Sequence, residues 1–455
     1  MIQKINSELF TIPLDNNKYI IYAPLRRVAF VGNSGMVNFI AKCQNGENIT
    51  EVDLDASLME FLRRIDIADG SPEQIPSIES NGIPKPTAVT LFLTTACNLR
   101  CTYCYASAGD TPLKSMTFEI AKRGIDFVLK NAIESNTDLI TINYHGGGEP
   151  TTNWKVLVDS FNYAREEAYK YNITVSGSTA SNGILTERQI DWIIENLDGG
   201  VSLSFDGLPS MHDKHRITIS GKGSSDKVIH TIKKFDDADY NYGIRITVTE
   251  DQISELPKAI EYVSMNFRMK KVQVEPSYQM GRWKDAPSAE TSAFINNYRK
   301  AKEIAEKHGV DISFSTARID NITNHFCGIT QDTFALSPDG NVSACYEVFS
   351  EENEFSDVFF YGTPEEENMG YKFNLDILNN LRKKVVNNNK YCEGCYAKWH
   401  CAGDCYHKSL TDNGRIEFQG SDRCHITREL TKDLILKKIE DSGGFFWHEP
   451  FEMDH

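Results

Sequence analysis

Apolar and polar positions follow two rhythms along this chain. From residue 88 short apolar runs recur, each followed by a stretch with apolar residues at helical spacing. AVTLFLTTA reads as a strand and SMTFEIAKRGIDFVLKNA as a helix. The pattern repeats in LITINYHGGGEP with NWKVLVDSFNYAREEAYKY, then ITVSGSTASNG with TERQIDWIIENL. It continues in GVSLSFDG with SDKVIHTIKKF, YGIRITVTE with ELPKAIEYVSMNF, and KKVQVEPSY with AFINNYRKAKEIAEKHG. Alternation at this spacing predicts a parallel sheet with crossover helices. Six such units predict an α/β fold, an open, partial (β/α)6 TIM-like barrel spanning residues 87–310. In such barrels chemistry sits at the C-terminal ends of the strands.

The flanking segments have a different rhythm. Residues 1–86 read as a separate module: KYIIYAP and RRVAFVG as strands, NSGMVNFIAKCQNG as a capped helix closed by Gly46, and DASLMEFLRRIDI as a second helix. DGSPEQIPSIESNGIPKP has the composition of a linker. After residue 310 the strand–helix rhythm stops, which makes 311–455 a third region. There TFALSPDGNVSACYE predicts a hairpin with a Pro-Asp-Gly turn, and EENEFSDVFFYGTPEEENMG a solvated acidic insertion.

Charge removes some functions. A net charge of −16 over 455 residues argues against nucleic-acid or anionic-membrane surfaces. MIQKINSELF lacks the apolar core of a signal peptide, and no apolar run reaches membrane-spanning length. A cytoplasmic protein is therefore expected. The eleven cysteines point the same way, because they cluster rather than spread as a disulfide framework would.

Cys97, Cys101 and Cys104 follow the first barrel strand with the spacing C-x3-C-x2-C. Three soft thiolates in one loop suit three irons of a [4Fe–4S] cluster and leave a fourth iron open. A zinc knuckle with a distant fourth ligand is the plainer alternative. Gly146, Gly147, Gly148 and Glu149 end the second strand, where glycines admit close backbone approach and Glu149 suits an ammonium group. A simple turn with Pro150 opening the next helix accounts for the same residues. Ser178 and Asn182 end the third strand, and Ser204 and Asp206 the fourth, as candidates to bond a ribose or substrate. Arg216 can pair with a carboxylate; a solvated loop is the bland reading for it, and the favoured one for His212 and His215. Arg245 lies inside RITVT, where a buried charge needs a partner, and is an alternative carboxylate ligand. Glu275 and Tyr278 end the last strand, as candidates to face the substrate, with simple packing as the alternative. A second cysteine set runs Cys327, Cys345, Cys392, Cys395, Cys401, Cys405, Cys424. Seven thiols cannot fill two four-ligand sites without an outside ligand, and zinc remains an alternative here too.

CNLRCTYC together with GGGEP resembles a radical S-adenosylmethionine (SAM) enzyme, and the seven-cysteine tail resembles the SPASM domain of that superfamily. The resemblance covers about residues 88–430. It implies that Cys97, Cys101 and Cys104 bind the SAM-cleaving cluster, whose open iron SAM chelates. Gly146–Glu149 would line the methionine amino group, the backbone near Tyr103 would meet adenine, and Ser204 would lie near the ribose. It further implies two auxiliary [4Fe–4S] clusters, one on Cys327, Cys345 and Cys405, the other on Cys392, Cys395, Cys401 and Cys424. The first of these is one cysteine short. Cys43 is left over as a buried helix residue.

The implied chemistry is hydrogen abstraction by a 5′-deoxyadenosyl radical, with electrons from an external donor of flavodoxin or ferredoxin type. The N-terminal module is similar to the winged-helix-like recognition element of ribosomal-peptide (RiPP) maturases, which implies a precursor peptide whose leader adds as a strand to a sheet edge; a cap on the barrel is the alternative. The expected reaction is an intrapeptide cross-link, thioether or carbon–carbon. Formylglycine formation in a sulfatase, and peptide epimerisation, are the alternatives. No nucleic acid or membrane partner is expected.

Overall fold

The computed structural model describes residue 5 and residues 7–45, 56–78, 80–366 and 370–447. The N-terminal region forms β1 (Phe10–Pro13), β2 (Lys18–Ala23), β3 (Val28–Asn33), α1 (Ser34–Gln44) and α2 (Ala56–Arg64). The Asn33 side chain caps α1 by accepting from the Met36 N–H, and Cys43 is buried on that helix. The helix closes on Asn45; Gly46, expected to end it, lies outside the described residues.

The barrel elements follow in the expected order. They are β4 (Ala88–Phe92), α3 (Phe118–Ser135), β5 (Leu139–His145), α4 (Trp154–Tyr169), β6 (Thr174–Ser181), α5 (Glu187–Asn196), β7 (Val201–Ser204), α6 (Pro209–His215), α7 (Ser225–Asp237), β8 (Tyr242–Val248), α8 (Leu256–Asn266), β9 (Lys271–Pro276) and α9 (Thr291–Lys307). Their boundaries have local causes. Thr117 caps α3, and Thr186 with Gln189 makes a reciprocal capping box at α5. Along β8 Tyr242, Ile244, Ile246 and Val248 are buried against helices, while the alternate positions face the barrel interior.

The last third adds β10 (Asp311–Ser313), β11 (Ala335–Leu336), β12 (Val342–Ser343), α10 (Ser356–Phe359), β13 (Phe360–Pro364), β14 (Tyr371–Phe373), α11 (Leu375–Arg382), α12 (Lys398–Cys401), α13 (Tyr406–Asn413), α14 (Asp422–Asp441) and β15 (Phe445–Trp447). Among the described residues the large sheet has the order β10-β9-β8-β7-β6-β5-β4-β11-β12-β13-β14. Pairings from β10 to β11 are parallel and those among β11–β14 antiparallel. The central parallel sheet with outer helices is the α/β architecture of a partial barrel. The parallel rhythm does not stop at residue 311, however: β10 extends one side of the barrel and β11 the other.

Two further expectations change. The Pro-Asp-Gly hairpin joins β11 to β12 as expected. The acidic stretch after it is not a solvated insertion. Phe359 and Tyr361 are buried within it, and Tyr361 stacks near Phe373. Its acids face outward from an apolar seam. Residues 367–369 of the stretch lie outside the described residues.

The smaller sheet has the order β1-β2-β3-β15. The chain's C-terminal strand thus pairs with the N-terminal region, Phe446 opposite Ala29. Phe445 packs on Phe30 and Phe61, and Phe446 sits between Tyr22 and the α14 residues Ile435 and Ile439. This burial ties the first and last segments together.

Candidate active site

Loop 94–116 leaves β4 and is closed at its base by Thr95 N–H to Lys114 O (3.0 Å) and Met116 N–H to Leu93 O (2.8 Å). Its tip pairs with the segment after α6: Arg100 N–H bonds Ile217 O at 2.7 Å and Thr102 N–H bonds His215 O at 2.9 Å. Arg282 braces it from the far side, donating to Cys101 O at 2.9 Å and, through its own backbone N–H, to Cys104 O at 3.1 Å. Cys97, Cys101 and Cys104 therefore sit on a backbone fixed from two directions.

All three are free thiols. Burial pushes Cys97 up to about 12, with Glu149 and the other two thiols adding to it. Burial likewise pushes Cys101 up to about 11, partly offset by Arg216. Crowded, desolvated thiols resist ionisation unless a cation lies among them. The donor set therefore fits an iron–sulfur core. Among the described residues no three His, Cys, Asp or Glu groups converge as one metal ion requires. A four-iron cluster has no such requirement, because each thiolate binds its own iron.

The glycine run is tightly packed. Gly146 has φ +130°, a Cβ on Gly147 would lie 2.2 Å from the Phe349 ring, and one on Gly148 would lie 2.1 Å from Ala96 O. Glu149 is 3% exposed. Its carboxylate accepts from the Thr151 hydroxyl (2.8 Å) and N–H (3.2 Å), the Ser181 hydroxyl (3.0 Å) and the Asn182 N–H (2.8 Å). That pins the end of β6 and aims the Asn182 amide at Cys97 Sγ (3.8 Å) and Asn98 Oδ1 (2.7 Å).

Asp206 and Arg216 are spent on each other. Arg216 donates from Nε at 2.9 Å and Nη2 at 3.2 Å, and Asp206 also accepts from the Tyr103 hydroxyl and the Thr247 N–H. The Arg216 guanidinium holds the Asp206 carboxyl below its usual range against the opposing effect of burial. The solvated-loop reading fails for Arg216, His212 and His215, all of which are buried. Partners from several other segments, among them Thr102, Asp206, Ser224 and Thr249, enclose them.

The C-terminal thiols sort into two groups. Cys345 interacts electrostatically with Cys405 and Cys327. Cys392 does so with Cys395 and Cys424, and Cys401 with all three of these. Burial is the main cause of the upward shifts of Cys345 and Cys401, and of those to about 12 for Cys392 and Cys405.

Residues 91–263 match the family profile described as the Radical SAM superfamily. The chain carries a radical SAM domain. Curated relatives include a cysteine-type anaerobic sulfatase-maturating enzyme of Clostridium novyi, 25% identical over 75% of this chain and 92% of that protein. The antilisterial bacteriocin subtilosin biosynthesis protein AlbA of Bacillus subtilis is 23% identical over 75% of this chain and 72% of its own length. An uncharacterized protein of Methanocaldococcus jannaschii is 30% identical, but the match spans 57% of it and 38% of this chain. Two solved structures share the fold. Native anSMEcpe with bound AdoMet has a TM-score of 0.62 at 17% identity, over 78% of this chain and all of that one. Streptococcus suis SuiB, solved with S-adenosylmethionine and also with its precursor peptide SuiA, has a TM-score of 0.51 at 14% identity, over 92% of this chain and 99% of that one.

The interior of the radical SAM domain holds a cavity of about 830 Å³. Ser178, Arg245, Asn143, His145 and Tyr346 line it, and it extends toward the N-terminal ends of β7–β9 rather than toward the thiol loop. Arg245, expected to be buried, is exposed to this space, on the opposite face of β8 from its apolar neighbours. Ser178 donates to Asn143 Oδ1 at 2.7 Å. Ser204 ends β7 in register with Arg245. Glu275 instead binds Arg423 at 3.0 Å, and the Tyr278 hydroxyl bonds Lys408 O at 3.4 Å.

Sequence reasoning missed His145, Glu347, Arg282 and Arg423. His145 stacks near Tyr346 at 5.3 Å, its Nδ1 is sealed without a partner, and burial followed by Arg245 lowers it to about 4. Its place directly before the glycine run, and Glu347's two residues after Cys345, were available signals. Arg282 and Arg423 had none.

Acid stability tests one of these networks. His212 is fully buried; its Nδ1 accepts from Asp206 N–H (3.4 Å) and its Nε2 bonds the Ser224 hydroxyl (2.9 Å), so the neutral ring fits. Burial lowers it to about 4. Between about pH 6.5 and 4 the unfolded chain binds a proton there that the folded chain does not, so stability falls as pH drops through that window. The contribution is roughly 1.4 kcal/mol per pH unit. Urea midpoints for wild type and His212→Gln at pH 7.5, 5.5 and 4.5 measure it. Equal slopes for the two proteins would contradict the buried neutral histidine.

Proposed function

We propose that this chain is a radical SAM maturase that acts on a ribosomally made precursor peptide and joins two of its residues. The observation that carries the reading is the separation of ten cysteines into the 97–104 loop and two further groups. A single SAM-cleaving centre needs only the first. Relatives add support: SuiB is solved with a precursor peptide, and AlbA is a bacteriocin biosynthesis protein. The N-terminal sheet has β1 at one edge, a surface that a leader peptide can extend as an added strand.

In this reading Cys97, Cys101 and Cys104 would hold a [4Fe–4S] cluster, which with bound SAM would supply the hydrogen-abstracting radical chemistry. The chain's own residues do the rest. Arg282, Glu149 and Asn182 fix the loop. The buried Asp206–Arg216 pair fixes Tyr103 beside it. Arg245, on the interior face of β8, offers a charged group to a peptide segment. Cys327, Cys345 and Cys405, and Cys392, Cys395, Cys401 and Cys424, would hold auxiliary clusters that take up the second electron. A flavodoxin- or ferredoxin-type donor would supply the first.

The test is co-expression with a candidate precursor peptide, followed by mass spectrometry. A loss of two hydrogens, absent with Cys97→Ala, supports the cross-link, and no mass change with inversion at one residue indicates epimerisation. The likeness to the Clostridium novyi enzyme favours a second reading, oxidation of a sulfatase cysteine to formylglycine. Conversion of a sulfatase-derived cysteine peptide, with the precursor peptide untouched, would establish it instead.

A further inference from the structure

Three thiols cannot complete a four-iron cluster, so the group at Cys327, Cys345 and Cys405 needs a fourth donor or an open iron. We propose that the Glu347 carboxylate is that fourth ligand. The inference rests on the reading that these three thiols hold a cluster.

Three observations converge on this residue. Glu347 follows Cys345 by two positions, and its charge reaches all three thiols of the group. Its Oε2 is sealed from solvent and makes no aligned hydrogen bond. Its polar neighbours hold it only loosely: His407 Nδ1 is 3.1 Å from that oxygen but off the bonding line, and Lys408 Nζ lies 4.0 Å from Oε1. A sealed carboxylate oxygen with no aligned hydrogen bond costs free energy that a bound iron would recover.

The competing acid is already committed. Asp404 also lies near Cys327 and Cys405, but it accepts from Arg423 at 2.8 and 3.3 Å and from Cys405 N–H at 2.7 Å. Both oxygens are used. The aromatic rings of Phe355 and Phe359 pack on His407 and hold it against Glu347.

The chemistry follows from the ligand type. A carboxylate is a harder, more exchangeable donor to iron than a thiolate. The cluster would be four-coordinated at rest and closed to stray thiols. A substrate thiolate could reach that iron only by displacing Glu347, with the carboxylate passing to His407 and Lys408.

The experiment uses the full chain with Cys97, Cys101 and Cys104 all changed to alanine, reconstituted anaerobically, so that only the C-terminal groups hold iron. About eight irons per chain are then expected. In this background Glu347→Gln and Glu347→Cys are compared with the parent by iron count and electron paramagnetic resonance. Mild ferricyanide treatment should remove about one iron from the Gln variant and give the signal of a three-iron cluster, while the parent and the Cys variant keep theirs. Added β-mercaptoethanol should change the reduced spectrum of the Gln variant and not of the parent. A parent spectrum that shifts with thiol as the Gln variant's does would overturn the assignment, as would a Gln variant identical to the parent. A parent holding only about four irons would instead show that the three-thiol group carries no cluster, a separate failure.

Discussion

Changing Cys101 to alanine is expected to abolish formation of 5′-deoxyadenosine from SAM and to lower bound iron by about four per chain. The thiol is one of three on a loop held by Arg282, Ile217 and His215. No other free thiol shares that loop, so none can take its place. Asn182→Ala should be milder. That amide only braces Cys97 and Asn98, at 3.8 and 2.7 Å, and outer-shell partners of metal ligands typically cost roughly 10–100-fold. The contrast between the two variants separates ligation from positioning. Iron assay and product chromatography on the reconstituted chain measure both. A Cys101→Ala protein that cleaves SAM at the wild-type rate would refute the assignment of this loop.

What could be read from the sequence was what local spacing controls. The strand–helix alternation produced β4–α9 in order, and the cysteine spacing marked both thiol regions. Arg245 shows a rule applied short of its end. Period-two alternation already places it opposite Ile244 and Ile246, on the interior face, yet a charge within an apolar run suggested burial. Long-range partners were not readable. Nothing near Phe446 announces that it will pair beside Ala29. Nothing near His212 announces that Ser224 and the Asp206 backbone will enclose it. The acidic stretch misled because its charges outnumber Phe359 and Tyr361, although those few apolar side chains decide which face is buried. Glu149 is the middle case. Its motif was visible, but its four internal donors come from Thr151 and the distant end of β6.

The second large effect is expected at Arg423, where stability and the thiol groups meet. The side chain is 4% exposed and its guanidinium bridges three segments. It donates to Asp404 at 2.8 and 3.3 Å, to Glu275 at 3.0 Å and to Ser315 Oγ at 3.1 Å, and it lies 5.0 Å from the centre of the Phe314 ring. Glu275 belongs to β9 and Asp404 sits between Cys401 and Cys405, one thiol from each C-terminal group. Arg423→Leu would keep bulk and remove charge, leaving two largely enclosed carboxylates with only the Lys408 charge acting on both. Breaking such a network typically costs about 3–5 kcal/mol. Lysine should restore only part, because a point charge cannot hold two carboxylates in the geometry of a planar fork. Adding Asp404→Asn and Glu275→Gln to Arg423→Leu should recover stability, because the uncompensated charges are then gone. Urea midpoints of the four proteins, with iron content alongside, distinguish this from simple loss of packing. Packing loss alone would leave the triple variant no more stable than Arg423→Leu. Recovery of stability without recovery of C-terminal iron would show that Arg423 does two separable jobs: it neutralises buried acids, and it fixes the Asp404 turn on which Cys401 and Cys405 are mounted.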